Sequence, residues 1–343
     1  MTPSRAEWLR LTPEPPIDPA LRICDAHHHL WDRPGDRYLL DEFRQDLGSG
    51  HNIVSTVFIE CKAMYRKDGP REMRPIGETE FVQGIATQST SGQYGQTAVA
   101  AGIVSHADLT LGPAVARVLE AHLAASPNRF RGIRHACAWD ASPSAETANP
   151  CPPGLMAEPQ FRAGLRCLRV YHLSFELWVY HPQLAEAAAL ARAVPEVPMI
   201  LNHVGGLLGV GPYAGRRDEV YQHWKKGIEE IATCPNVVVK LGGLGMRRCG
   251  FGWDAQPAPP TSSDLAKAMA PYYEVCIERF GSSRCMFESN FPVDKASYGY
   301  GILWNAFKRM TERFSHSERD ALFYKTATRV YRLKKSVADK PAA

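Results

Sequence analysis

The chain reads DAHHHLW at residues 25–31, directly after an Arg-Ile-Cys run that predicts the first strand of the fold. Successive side chains of a strand point to opposite faces, so we expect His27 and His29 on one face and His28 on the other. Two imidazoles at the carboxyl end of a strand can hold one divalent metal ion or surround one anionic centre. A pair of ordinary turn histidines is the alternative, and the rest of the chain has to decide between them.

Composition narrows the class of protein. Hydrophobic residues make up 45% of the 343 residues and the net charge is +4. We expect a cytoplasmic protein, since no apolar run is long enough to span a membrane and residues 1–20 lack the apolar segment of a secretory signal. The charges are interspersed, which predicts no nucleic-acid partner. The 9 cysteines form no C-x-x-C pair, which favours reduced thiols over a disulfide scaffold or a zinc knuckle.

Apolar, β-rich runs alternate with helical stretches along the whole chain. The predicted strands cover residues 23–29, 53–61, 98–105, 130–136, 173–179, 199–203, 237–242 and 285–290, and helices are predicted at 111–125, 183–193, 219–233 and 265–280. Eight such units predict a (β/α)8 TIM barrel in the α/β class. Two extra helices, near 302–314 and 317–331, are expected to close the C-terminal end. No repeat or linker divides the chain, so we expect one domain over residues 1–343 with a core at about 22–333.

Long loops are expected on one face of this barrel. Stretches rich in glycine, proline or polar residues follow the first, fourth, sixth and seventh strands, at residues 31–50, 139–159, 205–217 and 243–264. Loops that follow strands lie on the carboxyl face, where barrel enzymes have their active sites. These four loops are therefore predicted to wall a substrate pocket.

Residues that can carry chemistry stand at the ends of five predicted strands. They are His27 with His29, Glu60, Arg134, His203, and the segment FESNFPVD at residues 287–294. Each of them alone also fits a structural role, as a single strand-end histidine usually does. Together they place imidazoles, a guanidinium and carboxylates around one barrel mouth, a combination typical of a hydrolytic site.

Five segments resemble the amidohydrolase-2 family of the amidohydrolase superfamily, in the family's order. They are DAHHHLW, GIR at 132–134, LNHVGG at 201–206, NVVVKLGG at 236–243 and FESNFPV at 287–293. The resemblance implies a TIM barrel of the metal-dependent-hydrolase type, with His27, His29 and His203 at the reacting centre as metal ligands. It implies lactonase activity toward sugar acids or dicarboxylates, and more distant relatives decarboxylate aromatic acids. A divalent Zn or Mn cofactor is one expectation; catalysis by His and Arg without metal, as in some lactonases of this branch, is the other.

The chain departs from the family at the eighth strand. The common family form is Ser-Asp-Trp-Pro, whose Asp acts as general base or metal ligand, and here Asn290 stands at that position. An amide cannot take a proton from water at neutral pH. Glu288 precedes it by two residues on the same inward face and is the expected replacement, while Asp294 is a second candidate. The catalytic candidates are therefore His203, Glu288, Asn290 and Asp294, and a structural ion pair is the alternative role for Glu288.

The substrate-binding candidates lie on other strands. Arg134 is expected to bind a carboxylate or an oxyanion, because a guanidinium is permanently charged and offers a bidentate fork. Glu60, Lys240 and Tyr180 complete this set, although Lys240 fits equally well as the partner of an inward-facing acid. Glu176 is expected to have a structural role.

The leading hypothesis is a hydrolase that opens a lactone or related carboxylic ester of a carboxylate- or hydroxyl-bearing small molecule. One alternative is a metal-dependent decarboxylase, which Asn290 disfavours because that chemistry needs an anionic ligand from strand eight. The other alternative is a barrel that has lost catalysis and only binds a ligand. We expect a small-molecule substrate and no membrane partner, and the sequence leaves a homodimer open.

Overall fold

The computed structural model describes residues 4–145 and 150–334. Its main sheet has eight strands, each hydrogen-bonded in parallel to the next one along the chain. They are β1 (Arg22–His28), β2 (Asn52–Ile59), β3 (Ala98–Ser105), β4 (Phe130–Ile133), β5 (Ser174–Leu177), β6 (Met199–Leu201), β7 (Val237–Leu241) and β8 (Cys285–Phe287). A parallel bridge between His28 and Phe291 brings the last strand back to the first. The predicted (β/α)8 barrel is confirmed.

Helices surround this barrel and follow its last strand. The longer ones are Ile76–Ser89, Ala116–Ala125, Pro159–Val170, Leu184–Ala193, Arg217–Ala232, Ser262–Phe280 and Tyr300–Met310. Shorter ones are Arg5–Leu9, Leu40–Leu47, His316–Asp320 and Thr326–Val330, the last two joined by a π-helical turn at Ala321–Lys325. Within the described residues, every helix is too short or too polar to cross a lipid bilayer. The two extra helices predicted near 302–314 and 317–331 are present, as Tyr300–Met310 and the helical segment over residues 316–330.

The structure corrects three details of the predicted elements. The helices Ile76–Ser89 and Pro159–Val170 were not predicted, and the expected loop at 31–50 contains a short hairpin and the helix Leu40–Leu47. The helix Ile76–Ser89 contains Gly77. Glycine is disfavoured in a helix but needed here, because a Cβ would lie 2.5 Å from the carbonyl oxygen of Met64. Several strands also end earlier than predicted, because site residues such as His203 and Asn290 have positive φ and leave the extended conformation.

The amino-terminal end of the barrel is filled by side chains of residues 324–333. Small residues on the strands leave room inside it: a Cβ on Gly102 would lie 3.1 Å from Leu333. The hydroxyl of Tyr331 enters this space and donates to Oε1 of Glu176 at 2.5 Å. The interior cluster comprises Cys24, Ala26, Val57, Ile59, Val104, Ile200, Met286, Tyr324, Ala327, Tyr331 and Leu333. The opposite, carboxyl end therefore holds the site.

A buried carboxylate joins the first strand to the segment after the last one. Asp25 accepts hydrogen bonds from the backbone N–H of Ser289 at 2.8 Å, from its hydroxyl at 2.6 Å and from the hydroxyl of Tyr300 at 2.9 Å. Burial raises the pKa of Asp25 to about 6. The backbone N–H of Asn290 also donates to the carbonyl of His27 at 2.9 Å. DAHHHLW and FESNFPV thus meet where the barrel closes.

Candidate active site

Three imidazoles meet at the carboxyl end of the barrel. His27 and His29 share the inward face of β1 and its continuation, with their Nε2 atoms 3.2 Å apart. The ring of His203, directly after β6, lies 4.5 Å from the ring of His27 between centroids. His28 points to the other face, where its Nε2 contacts the Thr56 hydroxyl at 2.9 Å. The alternation expected from the sequence is therefore present, and it separates two site histidines from a structural one.

The protonation of His29 follows from its backbone contact. Its Nδ1 lies 2.7 Å from the carbonyl oxygen of Ile59, at the end of β2. A carbonyl only accepts, so Nδ1 carries the proton and Nε2 of the neutral ring presents a lone pair to His27. Burial, followed by the charge of Arg134, holds the pKa of His29 well below its usual value. His29 is therefore a neutral donor of an electron pair.

Glu288 lies between two of these rings. Its Oε1 accepts from Nδ1–H of His203 at 2.6 Å and from the His203 backbone N–H at 3.2 Å. Its Oε2 lies 2.8 Å from Nδ1 of His27. Burial raises the pKa of this carboxyl to about 8, against the opposing charge of Lys240. The hydrogen bond from Nδ1–H fixes the tautomer of His203 and leaves its Nε2 without a proton.

The position of His203 depends on a backbone conformation that is rare for residues other than glycine. His203 and Val204 have φ values of 51° and 48°, in the left-handed region that costs about 1–3 kcal/mol for non-glycine residues. The ring lies against Gly243, where a Cβ would come within 2.5 Å of it. A Cβ on Gly242 would lie 2.3 Å from Cγ of Glu288. The Gly-Gly pair after β7 is therefore needed to accommodate the His203–Glu288 contact.

Two cations flank the imidazoles at different depths. Arg134, after β4, donates from Nε to Glu60 at 3.1 Å and from Nη2 to the Glu60 carbonyl, and its Nη1 lies 3.4 Å from Nε2 of His27. Lys240 is fully buried, with Nζ 2.8 Å from Glu176 and 3.3 Å from Nδ1 of His27. Arg134 thus borders the Nε2 side of the imidazoles, together with Glu60. Lys240 lies on their Nδ1 side, where it is the partner of an inward-facing acid.

Asn290 and Asp294 form a separate hydrogen-bonded pair. Nδ2 of Asn290 donates to Asp294 at 2.7 Å. The other oxygen of Asp294 accepts from the Gly245 N–H at 3.0 Å and from the Tyr298 hydroxyl at 2.6 Å. Burial raises the pKa of Asp294 to about 7. Both oxygens of Asp294 are thus engaged away from the imidazoles, and Asn290 retains its Oδ1.

Tyr180 lies beside the site, joined to a second arginine that sequence reasoning missed. The Tyr180 hydroxyl donates to the Ala145 carbonyl at 2.6 Å and accepts from Arg248. Burial is the main cause of the lowered pKa of His203, and Arg134, Lys240 and Arg248 contribute further. The only signal for Arg248 in the sequence was its position in the long loop after β7. His203 therefore stays neutral among three cations.

These residues fit a divalent metal ion. Ligand atoms of His27, His203 and Glu288 all lie within 4.8 Å of one another. The Nε2 atoms of His27 and His29 lie 3.2 Å apart, close enough to share one proton or to bind one cation. Two nitrogen ligands of a tetrahedral zinc ion are separated by about 3.3 Å. The spacing of the two Nε2 atoms is therefore suited to metal binding.

Comparison with known proteins shows the family of this chain. The sequence model of the amidohydrolase family matches residues 24–333. An uncharacterised protein of Sinorhizobium fredii is 32% identical over 335 residues, covering 91% of this chain and 99% of that one. L-fucono-1,5-lactonase of Burkholderia ambifaria is 27% identical, covering 93% and 98%.

The fold is shared with solved structures. An amidohydrolase from Burkholderia multivorans with bound zinc superposes with a TM-score of 0.68 at 22% identity, covering 91% of this chain and 99% of that one. The family resemblance read from the motifs is confirmed. This chain belongs to the amidohydrolase family.

Proposed function

We propose that this protein is a hydrolase that opens a lactone of a hydroxyl- or carboxylate-bearing small molecule. Membership of the amidohydrolase family supports a hydrolase, and the relative named L-fucono-1,5-lactonase supports a lactone as the substrate. The observation that carries the proposal is the contact of 2.6 Å between His203 and Glu288. It holds the Nδ1 of a neutral imidazole, so that Nε2 can take a proton from water that attacks an ester carbonyl.

In this mechanism His203 is the general base. Its Nε2 takes a proton from water as the water oxygen attacks the lactone carbonyl carbon, and Glu288 stabilises the imidazolium through Nδ1–H. The proton then passes to the ring oxygen as the carbon–oxygen bond breaks, which yields an open-chain hydroxy acid. A base of this kind contributes about 10²–10⁴-fold to the rate. Glu288 therefore acts through His203 as a positioning residue.

Arg134 and Asn290 act on the other reacting atoms. The Arg134 guanidinium, held by Glu60 at 3.1 Å, stabilises the negative charge that develops on the carbonyl oxygen. Asn290 Oδ1 accepts a hydrogen bond from the attacking water and orients it, because its Nδ2 is already bound to Asp294. Asp294 supports the site through Asn290, and Lys240 supports it through Glu176 and His27. Tyr180 and Arg248 border the substrate.

A divalent metal, zinc or manganese, fits beside these groups. His27 and His29 would hold it through Nε2, with His203 as a third ligand in the arrangement that the family resemblance implies. Such an ion polarises a carbonyl and lowers the pKa of a bound water. The roles of His203 as general base and as metal ligand are separable by experiment. A His203→Ala protein that still binds metal supports the role of general base. A His203→Ala protein that loses the metal supports the role of ligand.

The test is hydrolysis of a panel of 1,4- and 1,5-aldonolactones, followed by acid release, with metal content measured before and after chelation. We expect turnover of at least one lactone and its loss in His203→Ala. His223→Ala is the matched control, because His223 is exposed on the helix Arg217–Ala232. Decarboxylation of an aromatic acid without lactone hydrolysis would establish the lyase instead. No turnover in either assay would leave a ligand-binding barrel.

A further inference from the structure

A cavity of about 710 Å³ lies beside the barrel mouth. Its walls come from the segments that follow β2, β3 and β4. His135 belongs to this wall, whereas its neighbour Arg134 faces the imidazoles, so the cavity lies outside the barrel axis. The cavity is therefore distinct from the site described above, although the two share the end of β4.

Two histidines of the cavity present complementary groups. Nδ1 of His106 lies 3.1 Å from the carbonyl of Arg134, so it donates and leaves Nε2 of the neutral ring as an acceptor. Nδ1 of His135 accepts from the backbone N–H of Leu109 at 3.1 Å, which leaves its Nε2–H as a donor. Burial, then His106, lowers the pKa of His135 to about 4, so this ring is neutral at pH 7. A ring N–H donor and a ring nitrogen acceptor in one wall suit a hydroxyl group of a ligand.

Tyr65 adds a donor that has no partner. Its hydroxyl is shielded from bulk water and makes no hydrogen bond within residues 4–145 and 150–334. Burial, then the charges of Glu60 and Glu78, raises its pKa, so it keeps its proton. Buried polar atoms are satisfied in most proteins, and an exception calls for a ligand or a water. Tyr65 lines the cavity, and a small shift of its ring toward this space would let a ligand oxygen satisfy the hydroxyl.

Charged side chains of both signs line the cavity. Lys62, Arg71 and Arg74 stand in its wall with the carboxylates of Glu72, Asp108 and Glu158. Glu72 is already paired with Arg117 at 2.5 Å, so this carboxylate is engaged outside the wall.

Existing contacts leave one of these cations for a ligand. Asp108 accepts from the backbone N–H and the hydroxyl of Thr110. In the described part of the chain, the Arg71 side chain has no hydrogen bond or ion pair. Arginine is well suited to binding a carboxylate.

We propose that this cavity is an accessory binding site for a small hydroxy acid. Its carboxylate binds Arg71 and Arg74, and its hydroxyls bind His106, His135 and Tyr65. The assignment of a source rests on the proposed function, because opening a lactone at the adjacent mouth produces a hydroxy acid. The ligand chemistry itself rests on the cavity alone.

The experiment is calorimetric titration with D-gluconate, an anionic polyol, and with sorbitol, its uncharged counterpart. We expect gluconate to bind and sorbitol to bind at least about tenfold more weakly, since a charge-assisted hydrogen bond is lost. Arg71→Ala/Arg74→Ala should weaken gluconate binding about tenfold or more, and Tyr65→Phe should weaken it by a smaller factor. Arg279→Ala/Arg313→Ala is the matched control, because these exposed arginines do not line the cavity.

The mouth is tested separately with Arg134→Met. Gluconate affinity that falls in Arg134→Met but persists in Arg71→Ala/Arg74→Ala would assign binding to the mouth and overturn the proposal, as would the absence of binding at millimolar gluconate. Lactone hydrolysis is followed in parallel: hydrolysis without cavity binding refutes only the accessory site, and cavity binding without hydrolysis refutes only the proposed function. Tighter binding of the ring-opened product of the best lactone than of gluconate identifies the product as the source.

Discussion

Glu288 accepts a hydrogen bond from Nδ1 of His203 across 2.6 Å, although 85 residues separate the two in the chain. The same carboxylate lies 2.8 Å from Nδ1 of His27. One acid thus contacts an imidazole of β1 and another that follows β6, and it lies two residues before Asn290. Glu288 acts through these two histidines, since its oxygens lie against their Nδ1 atoms.

Replacing this acid tests the relationship. Glu288→Gln should lower kcat about 100-fold or more, because the amide cannot stabilise the imidazolium of His203. Steady-state kinetics and thermal denaturation are measured together. The control is Glu78→Gln, since Glu78 is equally buried but accepts from the backbone N–H groups of Cys61 and Ala63. Full kcat with a lowered Tm in Glu288→Gln would reduce Glu288 to a structural role.

The pH profile should reflect the environment of His203. Its pKa is lowered by burial and then by Arg134, so the imidazole stays in its basic form where an ordinary histidine is already protonated. Glu288 is the first of the His203–Glu288 pair to take up a proton as pH falls, because burial raises its pKa to about 8. The acidic limb of kcat/KM is therefore expected near pH 8. Arg134→Met removes a positive charge that lowers the pKa of both groups, so the limb moves to higher pH. A limb that stays in place or moves to lower pH in this variant would contradict the assignment of the His203–Glu288 pair.

A methyl group behind His203 should be highly damaging. Gly243→Ala places a Cβ 2.5 Å from the ring of His203 at a φ of 73°, and displacing a catalytic group by about 1 Å costs about 100-fold in rate. Gly252→Ala is the control, because its φ is 68° and nothing lies within 4 Å of the added Cβ. Both variants carry backbone strain and should lose Tm, but only Gly243→Ala should lose kcat. Equal losses of kcat would show that strain, and not the clash, is responsible.

Restoring the common family residue should destabilise the fold at high pH. Asp294 has its pKa raised to about 7 from a usual value of 3.8, so the native state binds more protons than the unfolded state between these pH values. Its contribution to stability is thus lost as pH rises through about 7. Asn290→Asp replaces the donor 2.7 Å away with a second carboxylate. We expect its Tm deficit, measured with chelator present, to be larger at about pH 8 than at about pH 5; a deficit that shrinks with pH would refute this.

Much of the fold could be predicted from the sequence because its signals are local. Apolar β-rich runs located all eight strands, and the alternation along 25–29 separated His27 and His29 from His28. The ends of strands were less predictable, since His203 and Asn290 adopt positive φ for reasons that lie in Gly243 and Asp294. The helix Ile76–Ser89 was not predicted, because Gly77 lowers the helix propensity near its start. Glycine is needed at this position because a Cβ would clash with the Met64 carbonyl.

The sequence predicted which residues lie at the site better than it predicted what each of them contacts. Strand ends indicated His27, His29, Arg134, His203 and Glu288, and the structure brings them together. The engagement of Asp294 depends on Gly245 and Tyr298, partners from separate segments that no local pattern reveals. The burial of Lys240 against Tyr331 likewise depends on how residues 324–333 pack into the barrel.

The bond between Asp25 and Ser289 spans 264 positions of the chain. During synthesis on the ribosome, the three early histidines emerge long before the segment that closes the barrel over them. Until residue 288 has been added, His27 and His203 belong to an unfinished sheet with no Glu288 against their Nδ1 atoms. The site is therefore incomplete until the segment after β8 has joined β1, so its assembly depends on closure of the barrel.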